Sequence, residues 1–210
     1  QKDILETKLL FMISFKNKKV IVFDLDGTIV KLAADWHSLK EVLAKRYREH
    51  YKEYCRFKSI SSCLSYIVER GDEEELQKNF DIIRKYELEN IRENDPIEET
   101  IFFINNLSLF KVKKDSILAV LSLNTRRTII ESLKLANIFD KIDYFLGRED
   151  VRKWKPDPEG LLKIKDYFNV EKNEMIFIGD LDKDILAGKN AGIDTYYIDE
   201  LIKLVDQVKR

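Results

Sequence analysis

Apolar residues fall along this chain in two rhythms. Short, mainly apolar runs recur at Val20–Phe23, Ile117–Leu121, Ile142–Leu146, Met175–Ile178 and Thr195–Ile198. Runs of that length, bounded by polar turns, fit strands covered on both faces of a parallel sheet. Helical patterns separate the later runs, and such alternation predicts right-handed βαβ units and a mostly parallel sheet. The gap between the first two runs is far too long for one crossover. There Leu39, Val42, Leu43, Tyr47 and Tyr51, and then Leu76, Phe80, Ile83 and Leu88, recur at helical spacing with no strand pattern between them. Residues 31–95 are therefore expected to form a small helical domain inserted into an α/β core domain made of 1–30 and 96–210. Asp95-Pro96 breaks the pattern, and a new helix is expected over Ile97–Leu107 with Pro96 near its first turn. Residues 1–16 read as a surface helix that docks through the apolar run Leu9–Ile13.

Composition narrows the function classes. The chain has 210 residues, with 37 basic and 38 acidic side chains and a net charge of −1. That size supports one sizeable core plus a small second unit. The balance of charge argues against nucleic-acid binding driven by bulk electrostatics. Leu9–Ile13 is too short to span a bilayer, so no membrane partner is expected, and a cytoplasmic location is. Cys55 and Cys63 are the only cysteines, and His37 and His50 the only histidines. Free thiols are the expected state, and no zinc-like ligand spacing is present. Charge clusters such as Asp72–Glu75 read as solvated faces.

The chemistry concentrates where the strands end. Asp24-Leu25-Asp26-Gly27-Thr28 follows the first run directly. Carboxylates at i and i+2 project to one side of an extended chain. Like charges so close need a cation or a shared proton, and ligand sites of open α/β sheets lie at such carboxyl ends. Three further clusters follow the later runs. Ser122, with Asn124 just beyond, follows the second run, Lys155-Pro156-Asp157-Pro158 the third, and Gly179-Asp180-Leu181-Asp182-Lys183-Asp184 the fourth. Together they supply an oxygen nucleophile, a hydroxyl, a cation and extra carboxylates, which is the inventory of a phosphoryl-transfer site. Asp180, Asp182 and Asp184 do not make a calcium loop, because Ile185 and Ala191 occupy the positions that need Gly and Glu.

These four clusters, in this order, resemble the four motifs of the haloacid dehalogenase-like (HAD) hydrolase superfamily. The segments Phe139–Phe145 and Ala187–Ile193 resemble its phosphoglycolate-phosphatase-like branch. The resemblance implies a Rossmann-like parallel sheet with the helical insertion as its cap. It implies a Mg²⁺-dependent phosphatase of a small soluble phosphate monoester, working through an aspartyl-phosphate. Asp24 would be the nucleophile and Asp26 the general acid and base. Ser122 and Lys155 would hold phosphoryl oxygens beside Asp24, Gly27 and Thr28. Asp24, the Asp26 carbonyl and Asp180 would bind Mg²⁺, with Asp184 supporting the metal or orienting Lys155. Leu123 intervenes where the family often has Asn, so no binding role is assigned to Asn124. Trp36, His37 and Arg46 are candidates for substrate choice from the cap, against the competing reading of a packed Trp and a solvated Arg. The expected partner is a small phosphorylated metabolite, and the expected assembly a monomer or homodimer. A sugar phosphomutase of the same superfamily and a binding or regulatory module that lost catalysis remain as alternatives. A dehalogenase is disfavoured by the presence of Asp26.

Overall fold

The computed structural model describes residues 13–54 and 58–210. Its main sheet has five parallel strands: β1 (Val20–Phe23), β4 (Ile117–Leu121), β5 (Tyr144–Leu146), β6 (Met175–Gly179) and β7 (Asp194–Tyr197). Their spatial order is β5-β4-β1-β6-β7. The chain leaves β1 on one side for β4 and β5, then returns to the other side for β6 and β7. The order therefore reverses at β1, where a crevice opens beyond the strand ends. Phe23 pairs with both Val120 and Ile178, so the residues after β1, β4 and β6 emerge side by side.

Every residue of β1 is buried. Ile21 and Phe23 join one apolar cluster, with α4 (Glu98–Asn105), α5 (Arg126–Leu135) and α8 (Ile198–Lys209). Val20 and Val22 join the opposite cluster, with α6 (Glu159–Phe168) and α7 (Asp182–Ala191). Each such side chain contributes roughly 1.5–3 kcal/mol when removed from water. The unbroken apolar run thus reflects two covered faces. Gly188 of α7 lets that helix sit against β7, since a Cβ there would lie 1.6 Å from Thr195 Oγ1.

The insertion consists of α1 (Trp36–Tyr51), α2 (Ile60–Glu69) and α3 (Glu73–Glu89). Asp35, Ser59 and Asp72 cap their N-termini, each accepting a backbone N–H through its side chain. The three helices bury a third apolar cluster that also takes in Val151 and Trp154 from the main body. Its two crossings to the core are tied together. Val30–Lys31 (β2) and Asp95–Pro96 (β3) pair antiparallel, a ribbon that no hydrophobic run announced.

Several expectations shift. The last strand begins and ends one residue earlier, because Ile198 turns inward as the first residue of α8. Ile142 precedes β5 rather than lying in it. Pro96 belongs to β3, and α4 begins at Glu98. Of the expected N-terminal helix, residues 1–12 lie outside the described residues, as does Cys55. Ile13 and Phe15 are not helical and are buried in the main core. Asp72–Glu75 is a solvated face only at Glu73 and Glu74. Glu75 is buried and takes both Nε and Nη2 of Arg46, at 2.6 and 2.7 Å. No helix among the described residues is long and apolar enough to cross a membrane.

Candidate active site

Leu25 points into the main core, fully buried, so its neighbours Asp24 and Asp26 turn to the other side of the chain. Gly27 then takes φ 80°, and a Cβ there would lie 2.3 Å from Asp180 Oδ2. Only glycine lets the two acidic segments approach so closely.

Asp24 Oδ1 accepts from the Leu25 N–H at 2.8 Å and lies 3.0 Å from Lys155 Nζ. Lys155 Nζ is also 2.6 Å from Asp184 Oδ1 and donates to the Leu121 carbonyl at 3.3 Å. Beyond that ion pair, buried Asp184 Oδ1 has no partner among the described residues. Asp184 Oδ2 accepts the Leu181 N–H at 3.0 Å at the start of α7. Asp26 Oδ1 accepts the Leu32 N–H at 2.9 Å.

The electrostatics are those of crowded acids. Burial raises the Asp24 carboxyl above its ordinary range, with Lys155 opposing and Asp184 adding repulsion. Burial also lifts Asp26, to about 6. Asp180 rises to about 7 through burial and the charges of Asp24 and Asp184. Burial disfavours the Lys155 ammonium, but Asp24 and Asp184 outweigh it and hold its pKa above the ordinary value. Lys183 is pushed down by burial and by Lys155.

Asp24, Asp180 and Asp184 each offer one oxygen within 4.8 Å of the others. Among the described residues, Asp180 Oδ1 is buried without a hydrogen-bond partner. An all-oxygen set with an orphaned carboxylate atom, in which Asp24 and Asp180 are both raised, fits a hard divalent cation such as Mg²⁺.

A cavity of about 380 Å³ opens over this cluster. Asp24, Asp26, Lys155, Asp180 and Lys183 line it from the core. Trp36, Lys40 and the 59–61 segment line it from the insertion. Trp36 is thus at the site. His37 is not: it is exposed and pairs with Glu41 at 3.4 Å. Arg46 is not either, being committed to Glu75. Ser122 is buried, with Oγ donating to Asn124 Oδ1 at 2.7 Å. Thr28 is buried too, and its Oγ1 has no hydrogen-bond partner among the described residues.

Sequence reasoning missed four residues here. Asn124 lines the cavity although Leu123 separates it from Ser122, because the chain turns back after β4. Lys183 and Arg148 also line it. Glu87 is a buried carboxylate of α3 that crosses from insertion to core. It accepts from Asn124 Nδ2 at 3.0 Å, the Thr125 N–H at 2.9 Å, Thr125 Oγ1 at 2.6 Å and Thr128 Oγ1 at 2.8 Å. A signal existed: Leu76, Phe80, Ile83 and Glu87 share one helical stripe. Leu88, the residue expected inside, is only half-buried.

Known proteins carry similar chains. A pyrophosphatase PpaX of Halalkalibacterium halodurans is 26% identical over 195 residues, covering 90% of this chain and 87% of its own. A phosphoglycolate phosphatase of Aquifex aeolicus is 28% identical over 84% of this chain and 83% of its own. The crystal structure of a HAD-superfamily hydrolase, subfamily IA, from Geobacter sulfurreducens shares the fold. Its TM-score is 0.55 at 17% identity, over 94% of this chain and 99% of that one. The family model for haloacid dehalogenase-like hydrolases matches residues 21–198, a span that runs from β1 to the start of α8 and holds the whole acid cluster, and the chain belongs to that family.

Proposed function

We propose that this hydrolase is a Mg²⁺-dependent phosphatase of a small soluble phosphate ester, acting through a phosphorylated Asp24. The observation that carries the reading is the pair Asp24 and Asp26 facing one cavity from the end of the central strand, with Lys155 Nζ 3.0 Å from Asp24 Oδ1. With Oδ1 held by Leu25 and Lys155, Asp24 Oδ2 attacks phosphorus. The bond from phosphorus to the leaving oxygen breaks, and Asp26 gives that oxygen its proton. Asp26 then takes a proton from the water that attacks phosphorus, which releases inorganic phosphate and regenerates the Asp24 carboxylate. A carboxyl lifted to about 6 suits both halves of that exchange near neutral pH. Lys155, held charged by Asp24 and Asp184, steadies the charge that builds on the phosphoryl oxygens. Asp24, Asp180 and Asp184, with the Asp26 carbonyl, would hold Mg²⁺, whose charge would offset repulsion between the carboxylates and the phosphoryl group.

The insertion, residues 31–95, acts as a cap over a core formed by 1–30 and 96–210, and Trp36 lies against the leaving group. The substrate class agrees with relatives named for pyrophosphate and phosphoglycolate, both small phosphorylated molecules. Hydrolysis of p-nitrophenyl phosphate tests the reading. Turnover is expected with Mg²⁺, lost on chelation with EDTA and restored by Mg²⁺. Undiminished turnover after complete chelation defeats the metal assignment, and absence of turnover with Mg²⁺ defeats the phosphatase.

A further inference from the structure

Glu87 stands in the last turn of α3, and the reaction above has no task for it. It is only 1% exposed. A carboxylate only accepts, and this one is met by four donors, all from residues 124–128 just after β4. Oε1 takes Asn124 Nδ2 at 3.0 Å. Oε2 takes the Thr125 N–H at 2.9 Å, Thr125 Oγ1 at 2.6 Å and Thr128 Oγ1 at 2.8 Å. Thr125 caps the start of α5, so an acid of the insertion sits at the N-terminus of a core helix, where negative charge is favoured. The Arg148 guanidinium is buried nearby, and its Nε and Nη1 have no hydrogen-bond partner among the described residues. Burial pulls its pKa down, and the Glu87 charge opposes this.

Glu87 decides which way the Asn124 amide faces. Because Oε1 can only accept, the Nδ2 end of the amide meets it and the Oδ1 end faces Ser122. There Oδ1 accepts from Ser122 Oγ at 2.7 Å, and the Asn124 N–H donates to the same Oγ at 3.1 Å. The Asn124 carbonyl accepts the Arg148 N–H at 2.8 Å. The insertion, the end of β4 and the segment after β5 therefore meet at Asn124, which lines the cavity. Ser122 follows Leu121, whose carbonyl accepts from Lys155 Nζ at 3.3 Å. The chain of bonds from Glu87 thus ends one residue from an anchor of the lysine that faces Asp24.

We infer that Glu87 is a positioning residue of the reaction: from the insertion it fixes the Asn124 amide and, through it, the Ser122 hydroxyl, so that the end of β4 keeps its place beside Asp24 and Lys155. Glu87 acts through Asn124 and touches no reacting atom. This rests on the phosphatase reading and makes the chemistry of the core depend on a residue of the insertion.

The test measures kcat and KM of the full chain separately, on p-nitrophenyl phosphate with Mg²⁺, with the folded fraction followed by circular dichroism. Glu87→Gln keeps the size of the side chain. With its oxygen on the Thr125 N–H, it turns an amide donor toward Asn124 Nδ2, and two donors then face each other. In folded protein kcat is expected to fall roughly 10- to 100-fold, with KM little changed. Adding Asn124→Asp to Glu87→Gln exchanges donor and acceptor in place. The new carboxylate accepts from the new amide and still accepts from Ser122 Oγ. This pair is expected to turn over faster than either single variant, a recovery that an acid needed only for folding would not show. A folded Glu87→Gln with wild-type kcat, or a pair no faster than the better single variant, overturns the inference while the phosphatase reading stands. Should Glu87→Gln not fold, Asn124→Ala reads the same chain of bonds, since Glu87 keeps its donors from Thr125 and Thr128. Its kcat is expected to fall about tenfold or more, and an undiminished kcat overturns the inference. Absence of turnover by the wild-type chain removes the phosphatase reading, and the inference with it.

Discussion

The strand ends and the helical insertion use charged residues in opposite ways. In the insertion charged side chains at the helix contacts are matched to partners of the right shape. Arg46 grips Glu75 with two nitrogens, and Asp72 caps α3 while accepting from Tyr51 at 3.0 Å and facing His50 at the same distance. Those bonds hold the Asp72 carboxyl below its ordinary range, chiefly through the Glu75 N–H. At the strand ends, Asp24, Asp26 and Asp180 are all raised, because burial and like charge work together. A matched carboxylate is spent on holding helices, whereas a crowded one is poised to take a cation, a proton or phosphorus. Both regions are rich in acids, so counting acids does not separate them.

The sharpest way to break this contrast is Asp24→Asn. It should lower p-nitrophenyl phosphate turnover on the order of 10⁴-fold or more, and no phospho-enzyme should be trapped. A variant that still accumulates acid-stable phosphate would sink the contrast. Asp26→Asn should cost about 10²- to 10⁴-fold through lost proton transfer, slowing both formation and breakdown of the phospho-enzyme in rapid-quench kinetics. Lys155→Met should damage stability as well as rate. It leaves Asp24 and Asp184 buried without their cation, a loss of about 3–5 kcal/mol readable in urea unfolding. Within the insertion, Glu75→Ala should lower stability by about 1–3 kcal/mol, discounted because Arg46 is one-third exposed. Turnover of the small aryl ester should fall far less than for any strand-end variant. The smallest effect is expected for His37→Ala, whose exposed side chain should change stability by less than about 0.5 kcal/mol. If His37→Ala alters kcat/KM instead, the histidine reaches the cavity in a closed form.

Much of the architecture was legible for simple reasons. A strand covered on both faces has no polar alternation, so β1, β4 and β6 stand out as apolar runs. Carboxylates flanking a buried Leu25 must share a side, and that geometry follows from strand periodicity. The β2–β3 ribbon was invisible because its two pairs of residues carry no pattern and are joined only by the fold. Ser122 and Asn124 show the limit at the site. The resemblance gave the hydroxyl a phosphoryl oxygen to hold, and the turn after β4 buries both residues, with Ser122 Oγ donating to Asn124 Oδ1 and Asn124 Nδ2 donating to Glu87. Glu87 was given no role from the sequence; the packing of α3 onto the core buries it against Asn124, Thr125 and Thr128.

The chain alone determined which chemistry is available. Two acids one residue apart after a buried strand, with a lysine and a third acid group after later strands, follow from local spacing, and local spacing is written in covalent order. Tertiary structure decided which of those groups meet and which charges go unpaired. The approach of Asp180 to Gly27, the Lys155 bridge between Asp24 and Asp184, and the orphaned donors of Arg148 all depend on distances between segments far apart in the chain. Burial and Coulomb energy depend on those distances, so no local pattern encodes them.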